Sequence, residues 1–231
     1  MRSLLLVLLL VAGSSNWATA QTTVPESEFQ VWNETVFSLP VLRTKDTKGK
    51  SVERLSLLLI GSVRLGQNRL VPVDKRIGGG FDLVLNKSFN FSPTYVYVAA
   101  QPRRGRHDFE HRIRFDLTYT KKFEHFSIKD RSRIEYRGRN SREDSVRYRN
   151  KFTFSYPVKR DGKELFAPFI ADEPYYDFAA KHWSRNDLTP GISKKFSNGL
   201  SADFFYLWRH NRTGLPADVH AVGVNLKVKL K

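Results

Sequence analysis

Apolar and polar residues alternate with a period of two along most of the chain. Between residues 109 and 119, the odd positions are apolar apart from His111, whereas the even positions are Glu, Arg, Arg, Asp and Thr. Such alternation, rich in aromatic and β-branched residues, is typical of β-strands with one apolar and one polar face. It predicts about eleven strands, at 28–39, 53–64, 76–88, 93–102, 108–120, 123–138, 145–158, 165–177, 183–195, 200–210 and 217–230.

The lengths and connections of these segments favour a membrane barrel. Several segments reach the ~9–11 residues that a tilted strand needs to cross a bilayer, against ~5–6 in most globular strands. Aromatic residues lie near the strand ends, as they do in such barrels. Compact turn signals alternate with longer polar links; the turns are at 90–93, 160–162 and 197–199, and the links at 43–51, 66–75, 102–107, 139–145 and 211–217.

We therefore predict an all-β fold, an antiparallel transmembrane β-barrel of about 10–12 strands. The number is even if both ends of the barrel domain lie on one side of the membrane. A soluble periplasmic or secreted β-sandwich that binds polyanions is the alternative, because sandwich strands also have one apolar face.

The first twenty residues have the features of a secretory signal peptide. Arg2 precedes a short apolar run and an A-x-A exit at 18–20, so the predicted organisation is a signal peptide at 1–20 and one barrel domain at 21–231. The 231-residue chain contains no Cys, which excludes a disulfide scaffold, a thiolate zinc site and a Cys nucleophile. Its formal charge of +16 suggests nucleic acid, but export argues against that partner.

The basic residues lie on the polar face of the predicted strands, which lines the lumen in a barrel. Two interpretations of this lining are open: a structural ladder of cross-strand ion pairs, and a lumen that attracts small anions. A lumen filled in this way argues against a wide general porin. For Glu173, two interpretations are open: an ion pair with Arg185 inside the lumen, and a single acid at a rim. The predicted basic lining is Arg112, Arg114, Arg131, Arg133, Arg137, Arg147, Arg149 and Lys151, and its predicted acidic partners are Glu110, Asp116, Glu135 and Glu173.

We predict no metal, cofactor or catalytic residues. His107 and His111 have H-x-x-x-H spacing but lie on a predicted strand, where four residues separate them too widely to chelate. His182, Ser184 and Asp187 supply the residue types of a triad, so an outer-membrane lipid-modifying enzyme is a further alternative. The glycine run at 78–80 indicates a bend or close packing at a strand start.

The order of several short motifs resembles a known bacterial family. They are Phe29-Gln-Val-Trp32-Asn-Glu34, Arg76-Ile-Gly78-Gly-Gly80, His111-Arg-Ile-Arg114, Arg147-Tyr-Arg149-Asn-Lys-Phe, Ala171-Asp-Glu173-Pro-Tyr-Tyr, Phe204-Phe-Tyr206-Leu-Trp-Arg209 and His220-Ala-Val-Gly-Val-Asn-Leu. Together they resemble the family catalogued as domain of unknown function 2490, thought to be outer-membrane β-barrels, over essentially the whole mature chain.

The resemblance implies a location in the Gram-negative outer membrane, contact with its lipid, and assembly by the barrel-assembly machinery. It carries over no activity and no catalytic residue. The sequence ends in Leu230-Lys231, whereas barrels of this class usually end in an aromatic residue. The leading hypothesis is thus an outer-membrane β-barrel whose basic lumen is structural or admits small anions.

Overall fold

A computed structural model describes residues 26–45, 49, 51–66, 70–103 and 105–230, and the predicted signal peptide lies outside them. Within these ranges, no helix is long and apolar enough to cross a membrane. The strands are β1 Ser27–Lys45, β2 Ser51–Gly66, β3 Val71–Val84, β4 Phe89–Arg103, β5 Arg106–Lys122, β6 Ser127–Arg139, β7 Ser145–Ser155, β8 Val158–Arg160, β9 Lys163–Asp177, β10 His182–Lys195, β11 Leu200–Asn211 and β12 Asp218–Lys229.

Eleven of these strands form one closed ring of hydrogen-bonded neighbours. Strands β1 to β7 pair in sequence order, β7 pairs with β9, and β9 to β12 continue in order, all antiparallel. β12 then closes the ring on β1, and the three-residue β8 pairs only with β9. The barrel prediction is confirmed, and the sandwich alternative is wrong because two stacked sheets do not close into one ring.

The odd strand number is accommodated by a parallel pair. β1 and β12 run side by side in the same direction, with Ser27 opposite Asp218 and Ser38 opposite Lys229. We call the end of the barrel where β1 begins the N rim, and the end where β12 ends the C rim. The number of strands must be even only if the barrel begins and ends at the same rim. Here β1 begins at the N rim and β12 ends at the C rim, so an odd number of strands closes the ring.

The connections are short at both rims. Between two and six residues join successive strands, and the longest link is between β11 and β12 at the N rim. The expected alternation of short and longer connections is therefore wrong. The expected turn at 90–93 is also wrong, because these residues lie within β4. The turn precedes them, where the Asn86 side chain accepts hydrogen bonds from the backbone of Ser88 and Phe89, at 2.8 and 3.0 Å.

The two faces of the wall differ in polarity. Large apolar side chains point outward, with Ile77, Leu59 and Ile134 exposed by 62%, 54% and 52%. Charged side chains point inward, with Arg114 and Glu135 exposed by 4% and 0%. A water-soluble protein has the reverse arrangement, so the exposed apolar face is typical of a wall that contacts lipid.

The glycine run 78–80 lies in the middle of β3, where it permits a close approach of β4. A Cβ atom at Gly78 would collide with the carbonyl oxygen of Tyr95, and one at Gly80 with that of Pro93. Of the two interpretations of the run, close packing is therefore the one observed, but at mid-strand and not at a strand start.

Candidate functional site

The lumen contains the charged residues that the sequence analysis selected. Their side chains lie on the inward face, opposite the exposed apolar side chains, and most of them are buried. Three neighbouring strands, β5, β6 and β7, provide all the basic members because every second residue of each strand points inward. The residues on this face are Arg112, Arg114, Arg131, Arg133, Arg137, Arg147, Arg149 and Lys151, together with Glu110, Asp116, Glu135 and Glu173.

Glu135 is the centre of a buried ion-pair cluster. It accepts hydrogen bonds from Arg147 Nη2 at 2.5 Å and from Arg114 Nε at 3.1 Å. Arg149 Nη1 lies 3.8 Å from the same carboxylate. One fully buried carboxylate therefore contacts three guanidinium groups, contributed by the strands on both sides of β6.

Two further carboxylates on β5 bind arginines of β6. Asp116 accepts a bidentate pair of hydrogen bonds from Arg133, both 2.5 Å long. Glu110 accepts hydrogen bonds from Arg137 Nη2 at 2.6 Å and from Arg112 Nε at 2.7 Å. These contacts join neighbouring strands across the inward face, so the structure contains a ladder of cross-strand ion pairs.

Glu173 binds different arginines from the one expected. Its carboxylate lies 2.8 Å from both Arg131 and Arg149, whereas Arg185 donates a hydrogen bond to the Asn211 side chain at 2.8 Å. The expected Glu173–Arg185 pair is wrong because the residue opposite Glu173 on β10 is Asp187, an acid. The Glu173 side chain therefore turns toward β7 and β6.

Sequence reasoning missed a second buried network, on β9, β10 and β11. Asp187 accepts two hydrogen bonds of 2.7 Å from Arg209 and one of 2.7 Å from the Tyr175 hydroxyl. The Trp32 ring on β1 contacts two guanidinium groups, with Arg64 at 3.6 Å and Arg209 at 4.7 Å from its centroid. The only sequence signal for these contacts was the inward position of each residue on its strand.

The three residue types of a triad are not brought together. Asp187 is engaged by Arg209 and Tyr175, and Ser184 donates to the backbone carbonyl of Tyr175 at 3.3 Å. The Nδ1 atom of His182 is buried without a hydrogen-bond partner. In the described part of the chain, no three His, Asp or Glu residues are close enough to hold a metal ion.

Basic residues exceed carboxylates toward the C rim. We call Lys129, Arg131 and Lys151 the C-rim basic group. Among the described residues, neither lysine forms an ion pair, and Arg131 shares its carboxylate, Glu173, with Arg149. Arg131 lies directly opposite Lys151 on the neighbouring strand, and 23% of its side chain is exposed. This group therefore combines surplus positive charge with access to solvent.

A polar cluster interrupts the apolar outer face of β6 and β7. Asn150 donates a hydrogen bond of 2.6 Å to Asp130 and one of 3.3 Å to Ser132, which also contacts the Tyr148 hydroxyl at 3.1 Å. Asn150 lies at the middle of β7, so these groups face the lipid-contacting zone and satisfy one another there.

The loop between β6 and β7 has a carboxylate that orders it. Asp144 accepts a hydrogen bond from the Tyr136 hydroxyl at 2.5 Å and one from the backbone N–H of Arg139 at 2.9 Å. Both hydrogen bonds favour the ionised carboxylate, so they hold the pKa of Asp144 below its ordinary value.

The closed ring, the apolar outer face and the charged lumen define a β-barrel of the membrane-spanning type. The chain belongs to the family described as protein of unknown function (DUF2490), which matches residues 29–218. A comparison with curated proteins gave no significant match.

Three solved structures are similar to this chain. The NanC porin is 7% identical, with a TM-score of 0.49 over 88% of this chain and 99% of its own. LpxR from Salmonella typhimurium is 9% identical, with a TM-score of 0.43 over 78% of this chain and 83% of its own. An anion-selective porin from Comamonas acidovorans is 14% identical, with a TM-score of 0.37 over 80% of this chain and 61% of its own.

Proposed function

We propose that this protein is a barrel of the Gram-negative outer membrane that admits small anions into a basic lumen through its C rim. The observation that carries the proposal is the C-rim basic group, in which Lys129 and Lys151 form no ion pair among the described residues; Lys151 is attracted to Glu173 only at longer range, and Lys129 to Asp203. Unbalanced positive charge on the wall of a narrow, low-dielectric opening attracts anions and repels cations.

The register of β6 and β7 supports binding of an anion at this point. Arg131 and Lys151 are directly opposite each other, and like charges in this position repel. An anion that binds between the two side chains would replace this repulsion with two attractive, charge-assisted contacts. Glu173 is the one ion-pair partner that this group has among the described residues, and Arg149 shares it, so a bound anion would supply further attraction to the group.

The centre of the lumen limits the size of the anion. Glu135 and its three arginines occupy the middle of the barrel, and the Glu135 side chain is completely buried. The proposal therefore concerns small inorganic or carboxylate anions and a low conductance. The arginines of this cluster offer successive hydrogen-bond donors to an anion that moves inward from the C rim.

The selectivity of single channels tests the proposal. Full-length mature protein is reconstituted in planar bilayers under a KCl gradient, and the reversal potential is measured for the wild type and for the Lys129→Gln/Lys151→Gln variant. We expect an anion-selective potential for the wild type. Its value should move toward zero in the variant, because two of the three positive charges of the C-rim basic group are removed.

Lys194→Gln is the matched control, because it removes an exposed lysine near the C rim from the outer face of the wall. This variant should keep the wild-type potential. A wild-type channel without anion preference, or a double variant with an unchanged potential, would contradict the proposal. Release of the protein by osmotic shock, without heat-modifiable migration in the outer-membrane fraction, would contradict the proposed location.

A further inference from the structure

The outer face of the wall contains a groove across β1 to β4. It has a volume of about 420 Å³, and small residues at Gly61 and Ala99 form part of its lining. Larger apolar side chains stand beside them, including Ile77 and Val63, which are exposed by 62% and 41%. A depression between projecting apolar side chains has the polarity that suits a hydrocarbon chain.

A second recess continues this groove toward the N rim. It has a volume of about 330 Å³ and shares Lys75, Tyr97 and Ala99 with the groove. Lys75 is exposed on the outer face near the start of β3 and, among the described residues, forms no ion pair with a carboxylate. A lysine near the end of a membrane-spanning strand extends its ammonium group toward the lipid headgroups.

The polar groups of the groove follow the order of groups in an amphiphile. Lys75 and Asn33 lie in one row across the wall, since each is opposite Val63 on β2, and Thr35 is two residues closer to the C rim. A cationic group and an amide are thus at the N-rim end of the groove, and the Thr35 hydroxyl and the apolar wall follow toward the C rim.

We propose that the groove is a binding site for an anionic membrane lipid. The lipid phosphate contacts the Lys75 ammonium group, and one acyl chain lies over Gly61 between the Ile77 and Val63 side chains. Asn33 and Thr35 are within the zone of the ester or amide groups that join the chain to the headgroup. The site is separate from the lumen, since the residues that hold the lipid face outward.

Binding of a defined lipid tests this inference. Full-length mature protein in non-ionic detergent is titrated with a phosphatidylglycerol, or with the phosphatidylcholine that has the same chains, and bound lipid is counted by native mass spectrometry. Lys75→Gln should weaken phosphatidylglycerol binding about tenfold and leave phosphatidylcholine binding unchanged, because it removes only the charge-assisted contact. Gly61→Val should weaken binding of both lipids, because it fills the groove.

Gly61→Val is expected to fold, because a Cβ atom at Gly61 meets no other atom within 4 Å. Lys121→Gln is the matched control, an outward-facing lysine near the C rim and outside the groove. Equal phosphatidylglycerol binding by the Lys75 and Lys121 variants would overturn the proposal. Undiminished binding by the Gly61 variant, or equally tight binding of chain-free glycerol phosphate, would also overturn it.

Discussion

Removal of the Glu135 carboxylate is expected to destabilise the barrel strongly. The side chain is 0% exposed and contacts Arg114, Arg147 and Arg149. Loss of one partner of a buried ion pair costs about 3–5 kcal/mol, because the remaining charges are left uncompensated. Glu135→Ala should therefore lower the free energy of unfolding by about 3–5 kcal/mol. Glu135→Gln should cost about 1 kcal/mol less, since its carbonyl still accepts one hydrogen bond.

Urea-induced unfolding of the protein from lipid vesicles measures this effect, with tryptophan fluorescence as the signal. Glu143→Gln is the matched control, because Glu143 is an exposed acid in the β6–β7 loop. A double-mutant cycle of Glu135→Gln with Arg147→Gln should give a coupling energy above about 1 kcal/mol. If Glu135→Gln and Glu143→Gln change stability equally, within about 0.5 kcal/mol, the central ion-pair cluster does not exist as described.

Three smaller perturbations test other parts of the wall. Gly80→Val should abolish or greatly slow barrel formation, measured as heat-modifiable migration, because a side chain added there meets backbone. Gly61→Val should not, because a Cβ atom at Gly61 meets no other atom within 4 Å. Asn150→Ala should lower the urea stability by about 1–3 kcal/mol, because Asp130 loses its donor on the lipid-facing side. Ionised Asp144 should order the loop above pH ~4, and this order should be lost as the pH falls through the lowered pKa of Asp144. An NMR titration of the Asp144 carboxyl group measures this pKa, and a midpoint at the ordinary value would contradict the expectation.

The alternation of residues was sufficient to predict the barrel and the side of the wall that each residue faces. Because side chains alternate strictly across a strand, the inward position of Arg112, Arg133 and Glu135 follows once the strand is recognised. Eleven segments were expected, and eleven strands form the ring. Only the three-residue β8, which follows a Pro at position 157, was not anticipated.

Contacts that depend on register were not predictable from the sequence. The partner of Glu173 is set by the pairing of β9 with β10, which places Asp187 and not Arg185 opposite it. The parallel closure of β1 on β12 is a contact between residues almost two hundred positions apart, and no local pattern reports it. Pro93 was taken as a turn signal, yet it lies in β4 at a gap in the pairing with β3, where its missing N–H is tolerated.

The location of a bound anion is the most direct test of the central claim that the basic lumen admits anions. Crystals of the mature protein soaked in bromide would give an anomalous difference map in which each bound bromide appears as a peak. We predict a peak between Arg131 and Lys151, which lie opposite each other inside the C rim. Bromide peaks confined to the outer surface and the loops, with none in the lumen, would contradict the account.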